Sequence, residues 1–134
     1  MRLFCSLAAL LGFILTCQGQ NDILVSGNTG TTTWTANNTY ILDGYVFVAD
    51  EQVLTIEAGT IIKGASGSGV DASALIVAKG GQIFAQGTAN APIIMTYEAD
   101  PLDGSVAYDT RGQWGGLIIL GDASTNFGGP AQVE

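Results

Sequence analysis

The residues best suited to chemistry lie in one acidic segment, residues 98–113. It contains Asp100, Asp103 and Asp109, with Arg111 close behind them. Clustered carboxylates in an extracellular loop can bind calcium, which takes several oxygen ligands at a flexible site. Their spacing matches no established calcium loop, and Arg111 can instead pair with a loop carboxylate and hold the segment in place. The three aspartates are therefore candidate calcium ligands, with ordinary solvated acids as the alternative.

Other kinds of reactive site find little support in the residues. The chain has no histidine, which excludes Ser-His-Asp and Cys-His nucleophilic systems and the usual histidine-based zinc sites. The glycine-rich segment Gly64–Gly69 is not followed by the lysine and serine of a phosphate-binding loop, so it is interpreted as a corner loop. No catalytic residue is assigned, no cofactor other than calcium is indicated, and a non-enzymatic protein is favoured over an enzyme.

Three residues are candidates for contact with sugars or for their attachment. Tyr108 and Trp114 can stack on sugar rings, although Trp114 precedes two glycines at the head of a strand and can equally serve packing. Asn37 begins an Asn-Asn-Thr acceptor pattern, which matters only in a eukaryotic host.

The first 19 residues have the pattern of a secretory signal peptide. Arg2 is a short positive region, Leu3–Thr16 is apolar, and small residues precede a cut between Gly19 and Gln20. The apolar run is shorter than the roughly 20 residues of a membrane-spanning helix. Acylation of Cys17 is the weaker alternative, because the residues before it match that signal poorly. We expect a secreted or cell-surface protein with no membrane insertion after cleavage.

The charge of the chain limits its partners. The formal net charge is −8, and the basic residues after the leader are Lys63, Lys79 and Arg111. Phosphate backbones and anionic membrane surfaces require clustered lysine and arginine, so nucleic acid is excluded as a partner. Both cysteines, Cys5 and Cys17, lie in the leader, so no disulfide is predicted in the mature protein.

A repeating pattern of apolar residues and glycine predicts the fold. Four residues recur in kind after 21 positions: Leu54, Ile56, Gly59 and Ile62 are followed by Leu75, Val77, Gly80 and Ile83. A further shift of 42, counted from Leu75 and Val77, leads to Leu117 and Ile119. Self-similarity at about 20 residues is typical of a parallel β-helix coil. The sequence therefore predicts an all-β solenoid.

Alternation along each strand divides the residues between the two faces of the wall. The predicted interior residues are Leu54, Ile56, Leu75, Val77, Leu117 and Ile119. The predicted outward residues are Thr55, Glu57, Ile76, Ala78, Ile118 and Leu120. This outward face is mostly apolar, a property typical of a surface covered by a loop or partner.

The predicted organisation follows the chain. After the leader, residues 20–40 form a polar strand and cap, and residues 41–134 form β-helix coils. Asp43-Gly44 is either a hairpin turn or a bend between two faces of a coil. Pro92–Tyr97 is a second face of one coil, and residues 98–113 form an acidic inserted loop. No cap is predicted near residue 134, which favours an N-terminal fragment of a longer helix.

Three segments resemble a known family. They are L-T-I-E-A-G-T-I-I-K-G, A-L-I-V-A-K-G-G-Q-I-F-A-Q-G-T-A-N-A-P-I-I-M-T and R-G-Q-W-G-G-L-I-I-L-G. They are similar to secreted, right-handed parallel β-helix repeat proteins of pectin-lyase-like topology, common in Bacteroidetes and marine organisms. Members of that family are mostly uncharacterised surface proteins. The resemblance covers Ile41 to Glu134 and implies the topology without implying lyase activity.

Together these observations favour a secreted or cell-surface, non-enzymatic structural or adhesive module. Glycans or other surface proteins are its expected partners, with glycans meeting loop residues near Tyr108 and Trp114. The alternative is a calcium-dependent, polysaccharide lyase-like enzyme that uses Asp100, Asp103 and Arg111 together with Asp109.

Overall fold

The computed structural model describes residues 20–121; the predicted leader and residues 122–134 lie outside this range. The described strands are β1 (Asn21–Asn28), β2 (Thr32–Trp34), β3 (Asn38–Val48), β4 (Val53–Ile56), β5 (Ile61–Gly64), β6 (Ala74–Val77), β7 (Gln82–Ala85), β8 (Ile94–Tyr97) and β9 (Gly116–Ile119). A single 3-10 turn at Gly69–Asp71 is the only helical element within this range. No helix among residues 20–121 is long and apolar enough to cross a membrane.

All pairs of neighbouring strands run parallel, and they form three ladders. The first ladder has the order β2, β4, β7. In the second, residues 39–42 of β3 pair with β5, which pairs with β8. In the third, residues 45–48 of β3 pair with β6, which pairs with β9. Each circuit of the chain therefore adds one strand to each ladder, which is the parallel β-helix that the sequence predicts.

Strand β3 shows how one segment serves two ladders. The step Asp43-Gly44 separates its two paired halves, and Gly44 has a φ of 73°, a left-handed conformation that glycine adopts without steric cost. Alternate residues are buried on both sides of this step, up to Leu42 before it and again from Val46 after it. Because the pairings on both sides are parallel, Asp43-Gly44 is a bend within the wall and not a hairpin.

The core confirms four of the six predicted interior residues. Leu54, Ile56, Leu75 and Val77 are all at most 2% exposed. The prediction that Leu117 and Ile119 are interior is wrong as to burial, because they are 39% and 59% exposed. They stand in register with Leu75 and Val77, but β9 is the outermost strand of its ladder within residues 20–121, so no described strand covers them.

The outer surface is less uniform than alternation predicts. Glu57, Ile118 and Leu120 are exposed, whereas Thr55 and Ile76 are half-buried. Ala78 is also half-buried. On the third ladder Phe47, Ile76 and Ile118 occupy the same outward column, since each stands opposite the next.

The predicted coil length of 21 residues is wrong. Leu54 pairs with Ile83 in the next coil and not with Leu75, which pairs with Val46. The pattern that recurs after 21 residues comes from different corners of the helix. Gly59 and Gly80 both have a positive φ, but Gly59 lies between β4 and β5 and Gly80 between β6 and β7. Every corner needs a sharp turn between two apolar strands, so the same local sequence appears at non-equivalent places.

A stacked aromatic pair fills part of the interior of the first coils. The rings of Trp34 and Tyr40 stack with centroids 4.7 Å apart and an angle of 13° between planes. Both are buried, and the hydroxyl of Tyr40 accepts a 2.9 Å hydrogen bond from the backbone N–H of Thr35. Strand β1 lies beside this pair through its parallel register with β3. Offset or stacked aromatic pairs stabilise a core beyond the area they bury.

We expect Leu75→Ala to destabilise the fold much more than Leu24→Ala. Leu75 is fully buried between neighbouring coils, and replacing such a leucine with alanine costs about 2 to 5 kcal/mol. Leu24 is 67% exposed on β1 and serves as the matched control, with an expected change below about 0.5 kcal/mol. The free energy of unfolding in urea measures both. Equal losses in the two variants would contradict the assignment of the core.

Candidate functional site

Residues 98–115, here called the insertion, connect β8 to β9 and form the longest irregular segment among residues 20–121. Lys63 of β5 anchors its beginning. The ammonium group of Lys63 donates hydrogen bonds to the backbone carbonyls of Asp100 at 2.6 Å and Glu98 at 3.3 Å. The N–H of Glu98 also continues the ladder by donating to the carbonyl of Gly64 at 2.8 Å. The preceding coil therefore fixes the backbone on which Asp100 sits.

Asp100 is held in place by two hydrogen bonds to its carboxylate. It accepts one at 2.6 Å from the hydroxyl of Thr96 and one at 2.8 Å from the N–H of Leu102. The Thr96 bond first, and then the Leu102 bond, lower the pKa of Asp100 below its ordinary value, with a smaller contribution from the Lys63 charge. Aspartate that binds the backbone two residues on stabilises a turn, and here Leu102 has a φ of 63°.

Asp103 repeats this arrangement one turn later. Its carboxylate accepts the N–H of Ser105 at 2.9 Å. Hydrogen bonds from the side chain and then the backbone of Ser105 lower the pKa of Asp103. Asp109 contributes through its backbone, because its carbonyl accepts a 3.1 Å hydrogen bond from Nε of Arg111.

The three predicted calcium ligands are not gathered into one cluster. Within residues 20–121 no group of three or more acidic, histidine or cysteine side chains is close enough to hold a metal ion. Asp100 and Asp103 instead accept hydrogen bonds that shape the turns of the insertion. The calcium set remains a prediction that rests on the sequence.

Trp114 closes the far end of the insertion by packing against the core. It contacts the buried cluster and is itself half-buried. A Cβ added to Gly64 would lie 2.7 Å from the Cβ of Trp114 and 2.8 Å from its Cε3 atom. The glycine therefore makes room for the indole, an approach that any larger residue would block.

The structure separates the two predicted glycan contacts. Tyr108 is fully exposed on the insertion, whereas Trp114 is half-buried and packs against the core cluster and Gly64. The predicted acceptor Asn37 lies elsewhere, exposed in the turn between β2 and β3, where its side-chain oxygen accepts a hydrogen bond from the hydroxyl of Thr35.

A pocket of about 300 Å³, here called the insertion pocket, lies between β8 and the insertion. Its lining residues are Met95, Thr96, Tyr97, Asp100, Val106, Thr110, Arg111, Gly112, Gln113 and Trp114. It unites three residues that the sequence singled out, Asp100, Arg111 and Trp114, and its lining does not include Asp103, Tyr108 or Asp109. Most of these side chains donate hydrogen bonds, accept them or do both, a combination that suits a ligand with many hydroxyl groups.

Sequence reasoning missed Thr96, Tyr97, Thr110 and Gln113 as members of this pocket. A signal was present at Thr96, a polar residue where the 21-residue register required an apolar one. In the true register Thr96 stands opposite Lys63 on the outer side of β5 and β8. Both side chains then bind parts of the same turn at Asp100.

The comparison with protein families agrees with this architecture. The model of a pectate-lyase-like β-helix domain matches residues 26–134. The chain belongs to this family. No curated protein and no solved structure matches it. The match to the pectate-lyase-like β-helix domain includes the strands from β2 onward and every residue of the insertion pocket, and it confirms the predicted repeat family. Membership fixes the topology and leaves the chemistry to the site itself.

Replacing Gly64 by alanine is expected to displace Trp114 and loosen the insertion. The new methyl would overlap atoms near the backbone of Trp114, so we expect a loss of about 1 to 3 kcal/mol in the free energy of unfolding. Tryptophan emission should shift to longer wavelength as the indole becomes exposed. Gly121→Ala is the control, since an added Cβ there meets no atom within 4 Å. Unchanged stability and emission in Gly64→Ala would contradict the packing of Trp114.

Proposed function

We propose that this domain is a secreted or cell-surface, non-enzymatic module with a structural or adhesive role, and that it contacts glycans at the insertion pocket. One observation carries this proposal: Asp100, Arg111 and Trp114 line the same pocket. Carboxylates accept, guanidinium groups donate, and sugar hydroxyls do both, so such a lining suits a polyhydroxylated ligand.

The pocket is held by bonds that need no ligand. Lys63 binds the backbone at Glu98 and Asp100, and Trp114 packs onto Gly64. Ordering a loop on binding costs free energy, so a site that is already ordered loses less of its contact energy. Tyr108, fully exposed on the same insertion, offers an additional apolar ring to a longer glycan.

The electrostatics of Asp100 favour binding over proton transfer. Its hydrogen bonds with Thr96 and Leu102 stabilise the charged carboxylate and lower its pKa. A general base works best when its pKa lies near the operating pH, so a carboxylate with a lowered pKa is a weak base at neutral pH. Such a group is better suited to accepting hydrogen bonds from ligand hydroxyls.

The proposed export requires that cleavage before Gln20 leave the first described contacts intact. The side chain of Gln20 donates a 2.9 Å hydrogen bond to the carbonyl of Ala36, and β1 starts at Asn21. Cleavage between Gly19 and Gln20 would therefore leave these contacts intact. We expect protein recovered outside a secreting host to begin at Gln20, as read by mass spectrometry of its N-terminal peptide. Recovery of the chain with Met1 still attached would contradict export by cleavage.

Glycan binding is tested by calorimetric titration with hexasaccharides of glucose, mannose and galacturonic acid. If one binds, Arg111→Gln and Asp100→Asn should each weaken it about tenfold, the usual worth of a hydrogen bond to a charged group. Asp109→Asn changes the same charge on the same insertion outside the pocket lining and should alter the affinity by less than about twofold.

Two results would overturn the binding role at this pocket. The first is unchanged affinity in both pocket variants, and the second is the absence of binding to any of the three hexasaccharides. Each variant is first compared with the unmodified protein by thermal unfolding, so that a change in affinity is not mistaken for loss of the fold.

The second candidate function is a calcium-dependent, polysaccharide lyase-like enzyme that uses Asp100, Asp103, Asp109 and Arg111. It is favoured by the presence of Asp100 and Arg111 in one pocket. Release of unsaturated sugars from an acidic polysaccharide, dependent on calcium and lost in Arg111→Gln, would establish it in place of the binding role. An unchanged melting temperature in chelator would argue against the calcium-dependent version.

A further inference from the structure

A second pocket, of about 380 Å³, lies on the outer side of the first ladder, where β4 and β7 end. Its lining residues are Thr55, Ile56, Glu57, Ala58, Phe84 and Gln86. None of them belongs to the insertion pocket. The second pocket, here called the Phe84 pocket, is therefore a separate feature of the surface.

Phe84 supplies the apolar part of this pocket. Its neighbour Ile83 packs against the core, so the alternation of the strand turns Phe84 outward. In the parallel register Phe84 stands opposite Thr55, and half of its surface is exposed. A single exposed aromatic is common on protein surfaces; the polar groups beside this one give it a specific chemistry.

Glu57 and Gln86 provide those polar groups, and both are exposed. The Glu57 carboxylate accepts a hydrogen bond from the N–H of Ala36 at 3.3 Å through one of its two oxygens. Two hydrogen bonds fix the backbone of Glu57. Its N–H donates to the carbonyl of Trp34 at 2.9 Å, and its carbonyl accepts a hydrogen bond from the hydroxyl of Thr60 at 2.8 Å. The first coils therefore fix the backbone of Glu57, and the bond from Ala36 orients its carboxylate.

We propose that the Phe84 pocket binds a neutral pyranose ring, as a second glycan subsite that rests on the proposed glycan-binding function. The apolar face of the ring covers Phe84, and its hydroxyl groups donate to Glu57 and exchange hydrogen bonds with Gln86. A uronate or sulfated sugar would bring a negative charge beside the Glu57 carboxylate, on a chain whose net charge is already −8. Repulsion between these charges selects the neutral ligand.

The test is a nuclear magnetic resonance titration of the protein labelled with nitrogen-15. The probes are the hexasaccharides of glucose and mannose, which are neutral, and the hexasaccharide of galacturonic acid. Amide shifts at residues 55–57 and 84–86 report the Phe84 pocket, and shifts at residues 96–114 report the insertion pocket. We expect a neutral probe to shift the first set, with at least about tenfold weaker affinity for galacturonate there, equivalent to about 1.4 kcal/mol.

Two aromatic variants provide the matched comparison. Phe84→Ala should weaken binding at residues 55–57 by about tenfold. Phe47→Ala is the control, because Phe47 is 38% exposed and also points outward, but on the third ladder. It should leave that affinity within about twofold. Glu57→Gln should narrow the difference between neutral and acidic probes, since it removes the charge and keeps a hydrogen-bond acceptor.

The outcomes separate this inference from the proposed function. Shifts confined to residues 96–114, or an unchanged affinity in Phe84→Ala, would overturn the Phe84 pocket and leave the insertion pocket standing. Shifts confined to residues 55–57 and 84–86 would support the Phe84 pocket and overturn the insertion pocket. Galacturonate binding at the Phe84 pocket as strongly as the neutral probes would overturn the selectivity, and no shift with any probe would overturn the subsite.

Discussion

The stacking of each coil on the next is the interaction on which the whole structure depends. One circuit of the chain has no core of its own, because its inward residues are covered only by the neighbouring circuits. Val46, Leu75 and Leu117 form one such column, and the member without a described strand above it is the exposed one. Register is therefore the decisive constraint, since a shift by one residue would turn every apolar side chain of a strand outward.

This constraint applies to the strands, whereas the connections between them can differ in length. The connection from β3 to β4 and the connection from β6 to β7 are short, whereas β8 and β9 are joined by the long insertion, yet the ladders keep their parallel pairing throughout. Binding residues can therefore collect at a corner without loss of core contacts. The insertion needs contacts of its own to be held in place. Lys63 and the packing of Trp114 on Gly64 fix it to the preceding coil.

The sequence was sufficient for the fold class and for four residues of the core. Alternation identified Leu54, Ile56, Leu75 and Val77 because a strand wall has a strict period of two. The coil length could not be predicted from the sequence, because corners on different faces share the same glycine and apolar pattern, as Gly59 and Gly80 show. The insertion pocket could be predicted only in part, for the same reason. Thr96 stands opposite Lys63 in a strand pairing that the 21-residue register did not contain.

The aspartates of the insertion illustrate how a residue type can suggest two kinds of chemistry. In sequence, spaced carboxylates indicate a cation site. In the structure, Asp100 accepts hydrogen bonds from Thr96 and then Leu102, Asp103 accepts them from Ser105, and these bonds lower the pKa of both groups. The same bonds that order the loop also favour the charged form of each carboxylate, and a charged acceptor in a fixed position suits the proposed hydroxyl-rich ligand. The binding role proposed for Asp100 therefore depends on the same contacts that give it a structural role.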